Sequence, residues 1–205
     1  VSRGGLKLRH ALDAFGVDPR GRACADLGCN VGGFTDCLLR AGAAKVYAVD
    51  TGYGALAWTL RNDPRVVVME RTNALHAAPP PGGVGLVVID MGWTPQRLCI
   101  PAALRWLRND DAARIVTLIK PHYEQPGPAS ARVPVLDADA AARIADAVLA
   151  SMPALGVRVL ASTVSPIRGG AGKGVRDGNT EYLALLAPAS AQPDDLTPAP
   201  PGTRA

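Results

Sequence analysis

The sharpest chemical signal in this sequence is a glycine cluster bracketed by acids. Asp26-Leu27-Gly28-Cys29-Asn30-Val31-Gly32-Gly33-Phe34-Thr35 stands where a short apolar run gives way to helical spacing. Glycines at such a turn let the backbone approach a ligand and adopt angles closed to other residues. A dinucleotide site would read Gly-x-Gly-x-x-Gly here, seating a pyrophosphate on the helix N-terminus. The spacing is instead Asp-x-Gly-x-x-x-Gly-Gly, with an acid inside the turn. Asp26 would repel a pyrophosphate and attract the ammonium and sulfonium of S-adenosylmethionine. Gly28, Asn30, Gly32, Gly33 and Phe34 are expected to form that cofactor site with it. Asp50 ends the next apolar run, where an acid can take both hydroxyls of an adenosine ribose. Thr72 and Asn73 follow the third run, where an amide can read the adenine edge. A nicotinamide cofactor, or ordinary loop glycines beside a solvated acid, are the alternatives.

Four further residues stand at places where an α/β sheet gathers its chemistry. Lys7 lies on the first helix, Asp90 follows Val87-Val88-Ile89, Lys120 follows Leu118-Ile119, and Glu181 precedes Tyr182-Leu183. Ligands of parallel sheets bind beyond the carboxyl ends of the strands, so Asp90 and Lys120 should share a crevice with Asp26 and Asp50. Glu181 can join them if its strand runs the other way. Asp90 therefore counts both with the cofactor residues and with this second group.

The elements that must position these residues follow from apolar periodicity. Leu8, Ala11, Leu12 and Phe15 predict an N-terminal helix, and Phe34, Cys37, Leu38 and Ala41 a second, stopped by Gly42. Strands are expected at 23–27, 46–49, 66–69, 86–89, 115–119, 157–160 and 182–186. Helices are expected over 55–60, after Pro95 with Leu98, Leu104 and Leu107, and from Leu136 through Ala140, Ile144 and Val148 to near Pro153. Alternating strands and helices predict a mostly parallel sheet covered on both faces. The loop from Pro166 to Thr180 has no helical pattern and suits an antiparallel hairpin at the sheet edge. The expectation is a class I S-adenosylmethionine-dependent methyltransferase fold of Rossmann-like α/β type. Its sheet would have seven strands, the last antiparallel. Residues 1–187 would form the domain, and the Pro/Ala-rich residues 188–205 a disordered tail.

With Lys7, Asp90, Lys120 and Glu181 in this order, the sequence resembles the FtsJ-like RNA 2′-O-methyltransferases, which carry a Lys-Asp-Lys-Glu tetrad. Within them it is most similar to the haemolysin-A/TlyA branch of ribosomal RNA methyltransferases. SRGGLKL, DLGCNVGGFTDCLL, KVYAVDTGYGALAW, DPRVVVMERTN, LIKPHYE, SPIRGG and GNTEYL carry the likeness over nearly all of residues 1–187. The resemblance implies methyl transfer from S-adenosylmethionine to a ribose 2′-hydroxyl, with the tetrad as the catalytic four and no metal. It implies structured RNA, ribosomal RNA or ribosomal subunits as partner, and neither DNA nor a membrane; it leaves the oligomeric state open. A ribose hydroxyl is a poor nucleophile while protonated, so the oxygen must be aligned with the methyl and relieved of its proton. Lys120 is the candidate for that task, as a base or by steering the oxygen while charged. Lys7 supplies a second ammonium, and Asp90 and Glu181 fix both lysines.

His122, Tyr123 and Glu124 are expected to line the acceptor pocket, Tyr123 stacking on a base. The basic loop Arg168–Arg176 is expected to touch RNA phosphates. Proteins of that branch usually carry an S4-type RNA-binding domain ahead of the methyltransferase, and this chain begins at SRGGLKL. Met91-Gly92-Trp93-Thr94-Pro95 and the segment from Gln125 to Pro134 also depart from the branch's pattern. A catalytically silent RNA-binding protein, or a methyltransferase acting on a base or small molecule, are the competing readings.

Composition is compatible with this. With 48% hydrophobic and 20% charged residues the chain is globular. Its formal charge of +4 permits an RNA partner without requiring one. The four cysteines form no Cys-x-x-Cys pair and the three histidines no zinc pattern. The expected setting is a reducing cytoplasm.

Overall fold

The computed structural model describes residues 2–125, 135–169 and 178–189. Its elements run α1 (Arg3–Phe15), β1 (Ala23–Leu27), α2 (Gly33–Arg40), β2 (Lys45–Val49), α3 (Trp58–Arg61), β3 (Val66–Met69), β4 (Leu86–Ile89), α4 (Gln96–Trp106), β5 (Arg114–Ile119), α5 (Pro121–Glu124), α6 (Ala138–Ser151), β6 (Val157–Val164) and β7 (Tyr182–Pro188). The seven strands form one sheet in the order β3-β2-β1-β4-β5-β7-β6. The first five strands pair in parallel, and β7 is antiparallel to both β5 and β6.

The central strands are mostly apolar because both faces are covered, with Asp26 and Thr117 as buried polar exceptions. On one face Leu8 and Leu12 of α1, with Phe34, Cys37 and Leu38 of α2, pack against Cys24, Val46, Leu86, Val116 and Leu183. On the other, Ile100, Ala103 and Trp106 of α4 and Met152 after α6 meet Leu27, Val87, Ile89, Ile115 and Leu186. Strand β6 lies at the edge and, after the buried Val157, alternates exposed and half-buried positions instead.

Three helices differ from the periodic reading. The helix expected over 55–60 is a single turn, Trp58–Arg61, because Ala57 is extended (φ −54°, ψ 139°) and Leu56 is drawn into the core ahead of it. Helix α4 buries Cys99, Ile100, Ala103 and Trp106, while Leu98 points to solvent and Leu107 already lies past the helix end. Helix α6 starts after Leu136, since the Asp137 carboxylate caps it by accepting the Ala140 N–H at 2.7 Å. Strand β6 reaches Val164 and β7 reaches Pro188, where the Ala189 N–H still donates to Gly156 O. The rest of the expected tail, from Ser190, lies outside the described residues.

The sheet switches direction between β1 and β4, and this opens the crevice beyond their carboxyl ends. Gly28 is required there: its φ is +89°, and a Cβ would stand 2.8 Å from the Asp90 carbonyl oxygen. Gly28→Ala should therefore cost about 2–4 kcal/mol of folding stability, read as a lower denaturation midpoint with an unchanged m-value.

Candidate active site

The carboxyl ends of β1 to β5 form one rim, and β7 brings its start to the same rim by running the other way. Tyr182 is in register with Ile119, so Glu181 and Lys120 leave adjacent strands side by side. Lys7 reaches this point from α1, whose first turn abuts the start of α2: a Cβ on Gly33 would lie 3.0 Å from Gly5 N. The Lys7 ammonium pairs with the Glu181 carboxylate, and both residues are buried. Lys120 Nζ lies 2.6 Å from Asp90 Oδ1 and donates to Met91 O at 3.2 Å. Two lysines thus sit in one cleft, each with its own carboxylate. Burial pushes the Glu181 carboxyl above its usual range, and the Lys7 charge opposes this.

The four residues line a cleft of about 700 Å³ together with Gly28, Asn30, Gly33, Phe34, Asp50, Thr72 and Asn73. The pattern of the FtsJ-like methyltransferases matches residues 1–130. The chain belongs to the FtsJ-like methyltransferase family. It is similar to the 16S/23S rRNA (cytidine-2′-O)-methyltransferase TlyA of Mycobacterium tuberculosis, with 43% identity over 91% of this chain and 68% of that protein. Hemolysin A of Brachyspira hyodysenteriae is 36% identical over 90% of this chain and 75% of its own. A solved hemolysin-like chain from Streptococcus thermophilus superposes with a TM-score of 0.82 at 35% identity, over 96% of this chain and 70% of that one.

Within this FtsJ-like cleft the acids divide the work in a way their spacing did not reveal. Asp50 accepts the Asn30 N–H (2.9 Å) and the Gly52 N–H (2.7 Å), so it ties the glycine turn to the loop after β2 while still facing the cleft. Asp26 does not line the cleft. It is fully buried beneath the turn, where the Thr35 hydroxyl donates to Oδ2 at 2.6 Å and Oδ1 has no protein partner. Gly32 also falls outside the lining and packs on Leu56 and Leu60. The Asn73 side-chain carbonyl accepts the Leu75 N–H at 2.9 Å, which leaves its NH₂ as the donor for a ligand.

Beside Lys120, His122 and Tyr123 line the cleft, as does Trp93 from the β4–α4 loop. Trp93 is 70% exposed, and its ring lies 5.8 Å from that of Tyr123. Burial, with the charges of Lys120 and Lys7, holds the His122 imidazole down to about 4, so the ring is neutral at neutral pH. Glu124 departs from expectation: it turns away from the cleft, and its two oxygens accept the Gln96 N–H at 3.0 and 3.2 Å. Burial pushes its carboxyl up to about 6. Of the basic loop, Arg168 is exposed and its carbonyl accepts from Arg3 at 2.9 Å. Residues 170–177, and 126–134 after Gln125, lie outside the described residues.

Gly169 is a site residue that the sequence reading did not single out. It bridges to Asn179, and a Cβ on it would overlap the Glu181 carboxylate. Gly169→Ala should force that carboxylate off Lys7 and cost about 1–3 kcal/mol by overpacking, measurable by urea denaturation.

The protonation of Asp26 links stability to pH. Burial pushes its carboxyl up to about 7, Asp90 and Asp50 adding to this and the Thr35 hydroxyl opposing it. The folded chain then holds this proton more tightly than the unfolded chain, whose carboxyl titrates near 3.9. Stability from this group is full in acid and is lost as pH rises through about 7. In cofactor-free protein, the melting temperature of Asp26→Asn relative to wild type should rise between pH 5 and pH 8. A flat difference would refute the assignment.

Proposed function

We propose that the protein transfers the methyl group of S-adenosylmethionine to a ribose 2′-hydroxyl of structured RNA, with ribosomal RNA as substrate. The observation that carries this reading is the pair of lysine–carboxylate contacts at one end of the cleft, Lys7–Glu181 and Lys120–Asp90. The name of the TlyA relative, a cytidine-2′-O-methyltransferase of 16S and 23S rRNA, supports the same choice.

The residues present fit the cofactor. The cleft volume is in the range of small-molecule sites. Gly28 and Gly33 bring backbone to its wall, Asp50 offers carboxylate oxygens suited to ribose hydroxyls, and Asn73 offers an amide donor. When bound, S-adenosylmethionine supplies an electrophilic methyl on a sulfonium.

The chain's own residues prepare the nucleophile. Lys120 has three donors and commits two of them, to Asp90 and Met91 O, so a third can meet the acceptor hydroxyl. As an ammonium, Lys120 donates to the hydroxyl oxygen and steers its lone pair toward the methyl, the hydroxyl proton leaving to solvent; as the alternative, Lys120 first passes a proton to Asp90 and its free lone pair then accepts the hydroxyl proton. Lys7, held by Glu181, places a second positive charge where a hydroxyl or an adjoining phosphate can rest. Trp93 and Tyr123 offer an aromatic wall for the base attached to the reacting ribose. His122, neutral beside them, can hydrogen-bond that base without adding charge.

The test is transfer of labelled methyl to unmodified ribosomal subunits and total RNA. Wild type should leave label at an alkali-resistant linkage, and Lys120→Ala should lower the rate by about 10²-fold or more with cofactor affinity kept. Label at alkali-labile positions would indicate a base acceptor. Cofactor binding without transfer to any RNA would point to a missing domain or partner, or to another acceptor, and no cofactor binding at all would favour the catalytically silent RNA-binding protein.

A further inference from the structure

The β4–α4 loop carries Asp90, Met91 and Trp93, and the short helix α5 follows Lys120 and carries His122 and Tyr123. A single helical turn has little stability of its own, so α5 needs tertiary contacts to stay where it is. It packs on α6, and Tyr123 N–H closes the turn onto Lys120 O at 2.8 Å.

Besides the Tyr123–Trp93 ring contact, Glu124 joins α5 to the start of α4. Helix α4 begins without a side-chain cap, because its N-cap residue is Pro95, and its first turn contains no acid. The missing acceptor arrives from 28 residues further along the chain, when both Glu124 oxygens take the Gln96 N–H. A carboxylate is the favoured group at a helix N-terminus, where free N–H groups and the helix dipole meet. Gln96 is itself anchored to the strand that leads to Lys120. Its Nε2 donates to Leu118 O at 3.2 Å, and its Oε1 accepts the Thr117 hydroxyl at 2.7 Å. The two loops are thus joined into a ring, closed at one point by Lys120–Asp90 and at another by Glu124–Gln96.

We infer that Glu124 is a positioning residue for methyl transfer: by capping α4 it holds α5 where Lys120 meets Asp90 and Tyr123 meets Trp93. This role rests on the methyltransferase reading above. Glu124 has no place in the cleft lining, so it acts through the groups on either side of it.

The experiment compares wild type, Glu124→Ala and Glu124→Gln by steady-state methyl transfer to ribosomal RNA. Cofactor affinity is read by calorimetry, and amide hydrogen exchange is followed over residues 90–98 and 120–125. For Glu124→Ala the expected result is a kcat lower by about tenfold or more, cofactor Kd within about twofold, and faster exchange in both segments. Glu124→Gln keeps an oxygen to accept the Gln96 N–H and should recover most of the lost kcat. Unchanged kcat in Glu124→Ala, unchanged exchange, or a Gln variant as impaired as the Ala variant would overturn the inference. A wild type that transfers no methyl to RNA, with both segments loosened in Glu124→Ala, would instead sink the RNA reading and leave the cap standing.

Discussion

A lysine ammonium leaves water only beside an anion that compensates its lost hydration, and this protein does so twice within one cleft. Lys7 is 8% exposed and Glu181 3%, and they come from segments 174 residues apart. Lys120 and Asp90 repeat the arrangement on neighbouring strands. Removing one member of such a pair strands a charge in a poorly solvated place, so each pair constrains the backbone that carries it. The position of α1 over the sheet, the direction of β7 and the absence of a side chain at Gly169 all serve the Lys7–Glu181 contact.

The glycine turn answers a different constraint. Its backbone must pass close to the β4–α4 loop, and the acids around it serve as much to hold that backbone as to meet a ligand. Asp50 does both, with its oxygens on two loop amides and its place in the cleft wall. Asp26 is walled off beneath the turn with Thr35. An acid placed by spacing can therefore belong to the support of a site without belonging to its surface.

Much of this was legible in the sequence, and the reason is local. The strands of the sheet's centre are mostly apolar runs with Asp90 and Lys120 directly at the ends of two of them, so strand type and direction could be read there, while Lys7 and Glu181 joined them as a tetrad only through the family resemblance. What could not be read depends on distant partners. The single-turn α3 follows from where Leu56 finds its core, and the buried face of α4 follows from Trp106 and Ile100 rather than from its leucines. Glu124 looked like a pocket residue because it follows His122 and Tyr123; only the three-dimensional proximity of α4 reveals a helix cap 28 residues away. Gly169 gave no local signal because the group that needs its missing side chain is on Glu181.

The strand order has a consequence for biosynthesis. Five parallel strands and the whole glycine turn precede residue 120, so a chain emerging from the ribosome can build that half of the sheet early. Until β7 is made, β5 is a bare edge with unpaired backbone groups, open to adventitious pairing. The same late strand delivers Glu181 to Lys7. A nascent chain truncated before residue 181 therefore has the glycine turn, Asp50, Asp90 and Lys120 but lacks one of its four paired charges, so protection of the sheet edge and completion of the second charge pair come in a single event.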